Sequence, residues 1–206
     1  MTRCWACKAD GKLGELTCAS CGKLQPVDRR EDYFSLFDLP RVYGVDPADV
    51  ERRFRERSRV VHPDRFAKAE PRERRFALER ATRLNDAHRV LRDWRQRAGY
   101  LLRLASQDPF GDPRAAHDPE FLEGQLALRE ALAVAQADGD LERIRRLASD
   151  AKESLGALEL ELRRMFDDER WFSDHALDVA RRLARARYYE NLAADAERAA
   201  QAPART

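Results

Sequence analysis

From Val50 onward the apolar positions fall into a helical rhythm. Val50, Phe54, Ser58 and Val61 recur at spacings of four, four and three, which lays one narrow stripe along a helix. Asp46 is a good N-cap and Pro47 suits the first helical position. At the other end Pro63 has no backbone N–H and biases the residue before it away from helical dihedrals, so the helix runs to Val61 and stops at His62. Phe76, Leu84, Ala87, Leu91 and Ala98 trace a second stripe, predicting one antiparallel partner helix. The stretch DYFSLFDL supplies a short apolar element to cover the pair.

Farther along, three more helices are expected in an up-down-up bundle. The first starts at Asp118 and Pro119 and continues until ADGD breaks it, and the second spans about Leu141 to Phe166. The third follows Ser173 and carries Leu177, Ala180, Leu183, Ala184, Tyr188 and Leu192, with an alanine-rich tail from Ala193 expected to fray. The first 27 residues have no such period and are turn-rich, with Gly11, Gly14 and Gly22. These patterns divide the chain into a cysteine segment (1–27), a helical segment (31–106), a linker (107–116) broken by Pro109, Gly111 and Pro113, and a bundle (117–206). The fold class is all-α.

Composition agrees with this reading. Ala, Leu, Arg and Glu dominate and β-branched residues are scarce, which is helix chemistry. Lys plus Arg (39) and Asp plus Glu (37) nearly cancel, so any charged patch must be local and net charge does not indicate nucleic acid. No apolar run approaches the roughly 20 residues needed to span a bilayer, nor does a secretion signal open the chain. A soluble, cytoplasmic protein without membrane contact is expected.

All four cysteines lie in the first 21 residues, as Cys4 and Cys7, a ten-residue gap, then Cys18 and Cys21. Each CxxC knuckle presents two thiolates to one ion, and together they complete a tetrahedral sulfur site suited to a single structural zinc. The competing reading is a redox dithiol, which needs only one such motif. With few apolar residues nearby, metal affinity on the order of 10 kcal/mol would supply the folding energy. Trp5, inside the first knuckle, is expected to cover the metal.

His62, Pro63 and Asp64 stand together where the first helix ends. Such a loop can be a catalytic corner, a ligand set or a recognition plug. No phosphate cradle, nucleophile elbow or second carboxylate cluster accompanies it, and recognition makes better sense. Pro63 fixes the turn, Asp64 can accept from a partner's arginine, and the helix carrying Arg52, Arg53, Arg55, Arg57 and Arg59 can lie against an acidic surface. His88, His117 and His175 have no matched partners in the sequence.

A basic helix ending in HPD and followed by an antiparallel helix resembles a J domain. DYFSLFDLP, HPDRFA, ATRLNDAHRVLRDWRQRAGYLL and FLEGQLALREAL, in that order, are similar to the HscB family of J-type co-chaperones in iron-sulfur cluster assembly, over nearly all of residues 32–200. CWAC…CASCGKLQP resembles the tetracysteine extension of some members, particularly eukaryotic ones. The resemblance implies that His62, Pro63 and Asp64, aided by Arg53, Arg55, Arg57 and Arg59, contact the ATPase domain of a DnaK/HscA-type chaperone. It also implies that the bundle binds an IscU-type scaffold protein through Leu122, Leu126 and Tyr188. Two positions depart from the family pattern: Glu123 stands where an apolar residue can contribute, and Tyr188 where phenylalanine is familiar. Periodicity alone would equally put Leu122, Leu126 and Tyr188 in the bundle core. The expected function is co-chaperoning, with no chemistry on this chain. Alternatives are a J protein for another client, a zinc-dependent nucleic-acid binder, or a metal or redox enzyme using the cysteines.

Overall fold

The computed structural model describes residues 2–105, 119–168 and 175–201. The expected linker at 107–116, and His117, Asp118 and Ser173, lie outside them. The described chain forms two compact units, Met1–Arg97 and Ala98–Thr206.

The first unit begins with two short antiparallel strands, β1 (Thr2–Arg3) and β2 (Asp10–Gly11). A single helical turn follows, α1 (Tyr33–Leu36), capped by the Asp32 carboxylate, which accepts from the Ser35 amide at 2.7 Å. Helix α2 (Pro47–Val61) starts and stops where the sequence predicts, with the Asp46 side chain accepting from the Ala48 amide and His62 as C-cap. A 3-10 turn (Pro63–Phe66) leads to α3 (Pro71–Arg92), which packs back along α2. Val50 and Val61 from α2 and Phe76, Ala77, Leu84, Ala87 and Leu91 from α3 are buried, and α1 packs on α3 with Phe34 and Leu36 buried.

The second stripe is not one helix. The chain breaks at Asp93 and resumes as α4 (Trp94–Leu104), within which the boundary between the two units falls. Neither proline nor glycine makes the break. The Asp93 carboxylate accepts from the amides of Arg95 and Gln96 at 2.9 and 3.0 Å, so a capping interaction starts a new helix inside a continuous apolar period.

The second unit holds α5 (Pro119–Ala137), α6 (Leu141–Asp167) and α7 (Ala176–Gln201). Gly139, at φ +68°, makes the turn after α5, and Asp140 caps α6. Leu132 and Ala135 of α5, Ile144, Ala148 and Ala151 of α6, and Tyr188, Leu192, Ala193 and Ala196 of α7 form one apolar cluster. As far as Gln201, the expected fraying from Ala193 does not occur. Ala193 and Ala196 are 5% and 0% exposed, and α7 continues to Gln201 because these small side chains are core residues rather than tail. Among the described residues no helix is long and apolar enough to cross a membrane.

Candidate functional site

The two CxxC knuckles have the same local geometry. The amides of Lys8 and Gly22 donate to the carbonyls of Cys4 and Cys18, and both residues take positive φ, at +66° and +69°. Cys4 and Cys18 in turn donate their amides to Ala9 and Lys23. The knuckles face each other with Cys4 Sγ 3.7 Å from Cys21 Sγ and Cys7 Sγ 3.6 Å from Cys18 Sγ, all four sulfurs lying within 4.8 Å. A tetrahedron of sulfurs about 2.3 Å from one ion has edges of about 3.8 Å. The four thiols are therefore close enough together to hold one metal ion.

The electrostatics favour a cation here. Amide hydrogen bonds, that from Cys7 foremost, bring the Cys4 thiol down to about 6, and those from Cys21 and Ser20 lower Cys18. The Lys23 amide pulls Cys21 down as well, but burial and the sulfurs of Cys7, Cys18 and Cys4 push its thiol up to about 12. Four thiolates this close repel one another, so full ionisation requires a positive ion between them. Gln25 also donates to Cys4 Sγ at 3.4 Å.

The cysteine segment is packed against the helices of its own unit. Trp5 Nε1 donates to the Leu24 carbonyl, while its ring meets Phe76 of α3 edge-on with centroids 5.8 Å apart and lies under the Arg72 guanidinium. Lys23 pairs with the buried Glu73 carboxylate at 2.8 Å. Arg80, the largest fully buried side chain, donates to the carbonyls of Gln25 and Pro26 and pairs with Glu31. From α2, Arg57 donates to the Gly14 carbonyl at 3.1 Å, and burial pulls its guanidinium pKa down. Gly14 has φ +84°, and a Cβ there would meet the Ser35 carbonyl oxygen at 2.3 Å, so only glycine allows this approach.

At the tip of the hairpin, His62 Nδ1 accepts from the Asp64 amide at 3.4 Å, and Arg65 donates to the Arg59 carbonyl at 2.7 Å. The turn is thus tied to the last turn of α2, while the side chains of His62 and Asp64 are 57% and 89% exposed. The arginines expected to assist them differ in their freedom. Arg53 donates to the carbonyls of Phe37 and Asp38 and pairs with Asp49, Arg55 pairs with Glu51, and Arg57 holds Gly14. Arg59 is exposed on the turn of α2 next to His62.

The four bundle residues separate into two groups. Leu122 and Leu126 are 48% and 61% exposed on α5, with Glu123 exposed beside them. Tyr188 is in the core at 6% exposure. Its hydroxyl donates to the Gln125 carbonyl at 2.8 Å, its ring meets Phe121 edge-on, and burial raises its pKa.

His88 does have a partner. It stacks on Phe54 and shares a 2.7 Å hydrogen bond with Glu51, whose pKa is lowered by His88 and Arg55. Sequence reasoning missed Arg80, although it lies four residues from both Phe76 and Leu84, in the apolar register of α3. An arginine in a core stripe signals a buried acceptor set.

Fold and site define a two-unit helical protein with a four-cysteine module docked on a hairpin that ends in an exposed His-Pro-Asp turn. Residues 117–197 match the family model described as the HSCB C-terminal oligomerisation domain. A co-chaperone protein HscB homolog of Azoarcus sp. (strain BH72) is 41% identical over 121 residues, covering 59% of this chain and 68% of that protein. A homolog of Cupriavidus taiwanensis is 40% identical over 136 residues, 63% of this chain and 77% of that protein. The chain belongs to the HscB co-chaperone family. Among solved structures, the crystal structure of human co-chaperone HscB matches with TM-score 0.80 at 27% identity, covering 95% of this chain and 97% of that one. Chaperone HscB from Vibrio cholerae matches with TM-score 0.66 at 28% identity, covering 82% and 96%.

Proposed function

We propose that this chain stimulates the ATPase of a DnaK/HscA-type chaperone and delivers an IscU-type scaffold protein to it for iron-sulfur cluster transfer. The observation that carries the reading is the His62-Pro63-Asp64 turn, held at the tip of a hairpin by Arg65 and by His62 Nδ1 while the side chains of His62 and Asp64 remain largely exposed. Asp64 accepts a charge-assisted hydrogen bond from a chaperone arginine, and Arg59 adds long-range attraction to an acidic surface. Leu122 and Leu126 form the apolar anchor for the scaffold, with Glu123 beside them, and Tyr188 supports that surface from beneath by fixing the Gln125 carbonyl of α5.

Carrying both interfaces on one chain raises the effective concentration of scaffold at the chaperone, so two modest contacts suffice. One zinc ion, bound by Cys4, Cys7, Cys18 and Cys21, is structural: four protein ligands close its shell and leave no position for a substrate. No bond is made or broken on this chain. The cytoplasm is the compartment that keeps these thiols reduced for metal.

The test is single-turnover ATP hydrolysis by the cognate DnaK-type chaperone with scaffold present, comparing this protein with Asp64→Ala. Stimulation should vanish in the variant while scaffold binding persists. Failure of the intact protein to stimulate would overturn the assignment.

A further inference from the structure

We propose that the metal-loaded cysteine module acts as a brace for the His62-Pro63-Asp64 turn, with Trp5 and Lys23 as its positioning residues. The contacts it makes with the hairpin are concentrated at one end. On α3 they fall on Arg72, Glu73, Phe76 and Arg80, within the first three turns after the loop, and on α2 on Arg57, about one turn before His62. The module therefore grips both helices where they enter and leave the turn.

The grip depends on the shape of the metal site. Trp5 belongs to the first knuckle, between Cys4 and Cys7, and Lys23 follows the second, two residues after Cys21. Their side chains reach α3 from backbone that the two knuckles fix, and the knuckles are held to each other by the ion. Without it, only weak contacts between thiols join the two knuckles, and the Trp5 ring and Lys23 ammonium lose their common frame. Arg80 adds a second hold through the carbonyls of Gln25 and Pro26, just after that knuckle. The consequence is thermodynamic coupling: metal occupancy orders the turn, and hairpin contacts strengthen metal binding by the same factor.

The consequence for the chaperone rests on the function proposed above, but the brace itself is measured without a chaperone. Hydrogen exchange on the full chain, read by mass spectrometry with Zn²⁺ bound and after chelation, is expected to quicken by about tenfold across residues 57–78. Residues 84–92 of α3 and the helix α6 should keep their protection. Trp5→Ala, with Zn²⁺ retention verified by native mass spectrometry, should loosen 57–78 while the metal stays bound. Glu73→Gln, distant from the thiolates in sequence, serves where Trp5→Ala loses its metal. It should weaken Zn²⁺ affinity, read against a chromophoric chelator, by the factor by which it loosens the turn. Unchanged exchange at 57–78 on chelation would overturn the brace, as would equal loss along all of α2 and α3, which would mark a general folding requirement. Loss of ATPase stimulation in a chaperone assay would leave this result untouched.

Discussion

Arg80 and Glu31 form an ion pair sealed inside the first unit, with side chains 1% and 2% exposed and guanidinium nitrogens 2.5 and 3.0 Å from the two carboxylate oxygens. The remaining donors reach the carbonyls of Gln25 and Pro26, so the charge is both neutralised and hydrogen-bonded. This side chain, together with the Lys23–Glu73 pair, ties α3 to the chain following the second knuckle.

Removing one partner should therefore be expensive. Arg80→Met leaves the Glu31 carboxylate buried without its counter-ion, and Glu31→Gln leaves the guanidinium in the same state, a situation that costs about 3–5 kcal/mol. Arg80→Lys retains the charge but cannot reproduce the fork, so it should rescue only part of the loss. Urea unfolding of the zinc-loaded protein measures all three, and a loss below about 1 kcal/mol for Arg80→Met would contradict the picture.

Metal affinity should fall as pH falls, because all four cysteines bind the ion as thiolates. Protons compete with the ion, so a group with raised pKa must surrender a proton at every pH below that value, and a group with lowered pKa only below its own. Cys21, pushed up to about 12, surrenders its proton throughout the range from pH 5 to 7, whereas Cys4, at about 6, adds a further proton only in the acid half. Affinity falls about tenfold per pH unit for each proton displaced, so the slope should steepen below about pH 6. Competition titrations with a chelator of known pH dependence read the slope directly. A constant slope from pH 7 to 5 would show that Cys4 is not depressed.

The bundle residues should respond oppositely to substitution. Leu126→Ala at an exposed site should change unfolding free energy by less than about 0.5 kcal/mol, yet weaken scaffold binding. Tyr188→Ala opens a cavity in the bundle core and should cost about 3–5 kcal/mol. Tyr188→Phe keeps the ring and loses only the bond to the Gln125 carbonyl, about 1 kcal/mol. Denaturation and scaffold titration on the same three variants separate stability from recognition, and a large stability loss from Leu126→Ala would place it in the core after all.

What the sequence determined by itself was whatever short-range chemistry decides. The bounds of α2 follow from Asp46, Pro47 and Pro63, because a cap acts within one turn and a missing N–H acts at one bond. The CxxC spacing likewise fixes the knuckles, since each depends on a handful of successive dihedrals. Tertiary structure decided what each helical face meets. Periodicity could not tell that Leu122 and Leu126 face water while Tyr188 is buried, because a stripe records spacing and not its neighbour. Nor could it tell that Ala193 and Ala196 are core, since alanine suits both a solvated helix and a close helix contact. Arg80 shows the same limit most plainly. Its charge reads as surface until the carbonyls and carboxylate that can receive it, contributed by residues 49–55 positions earlier in the chain, are folded around it.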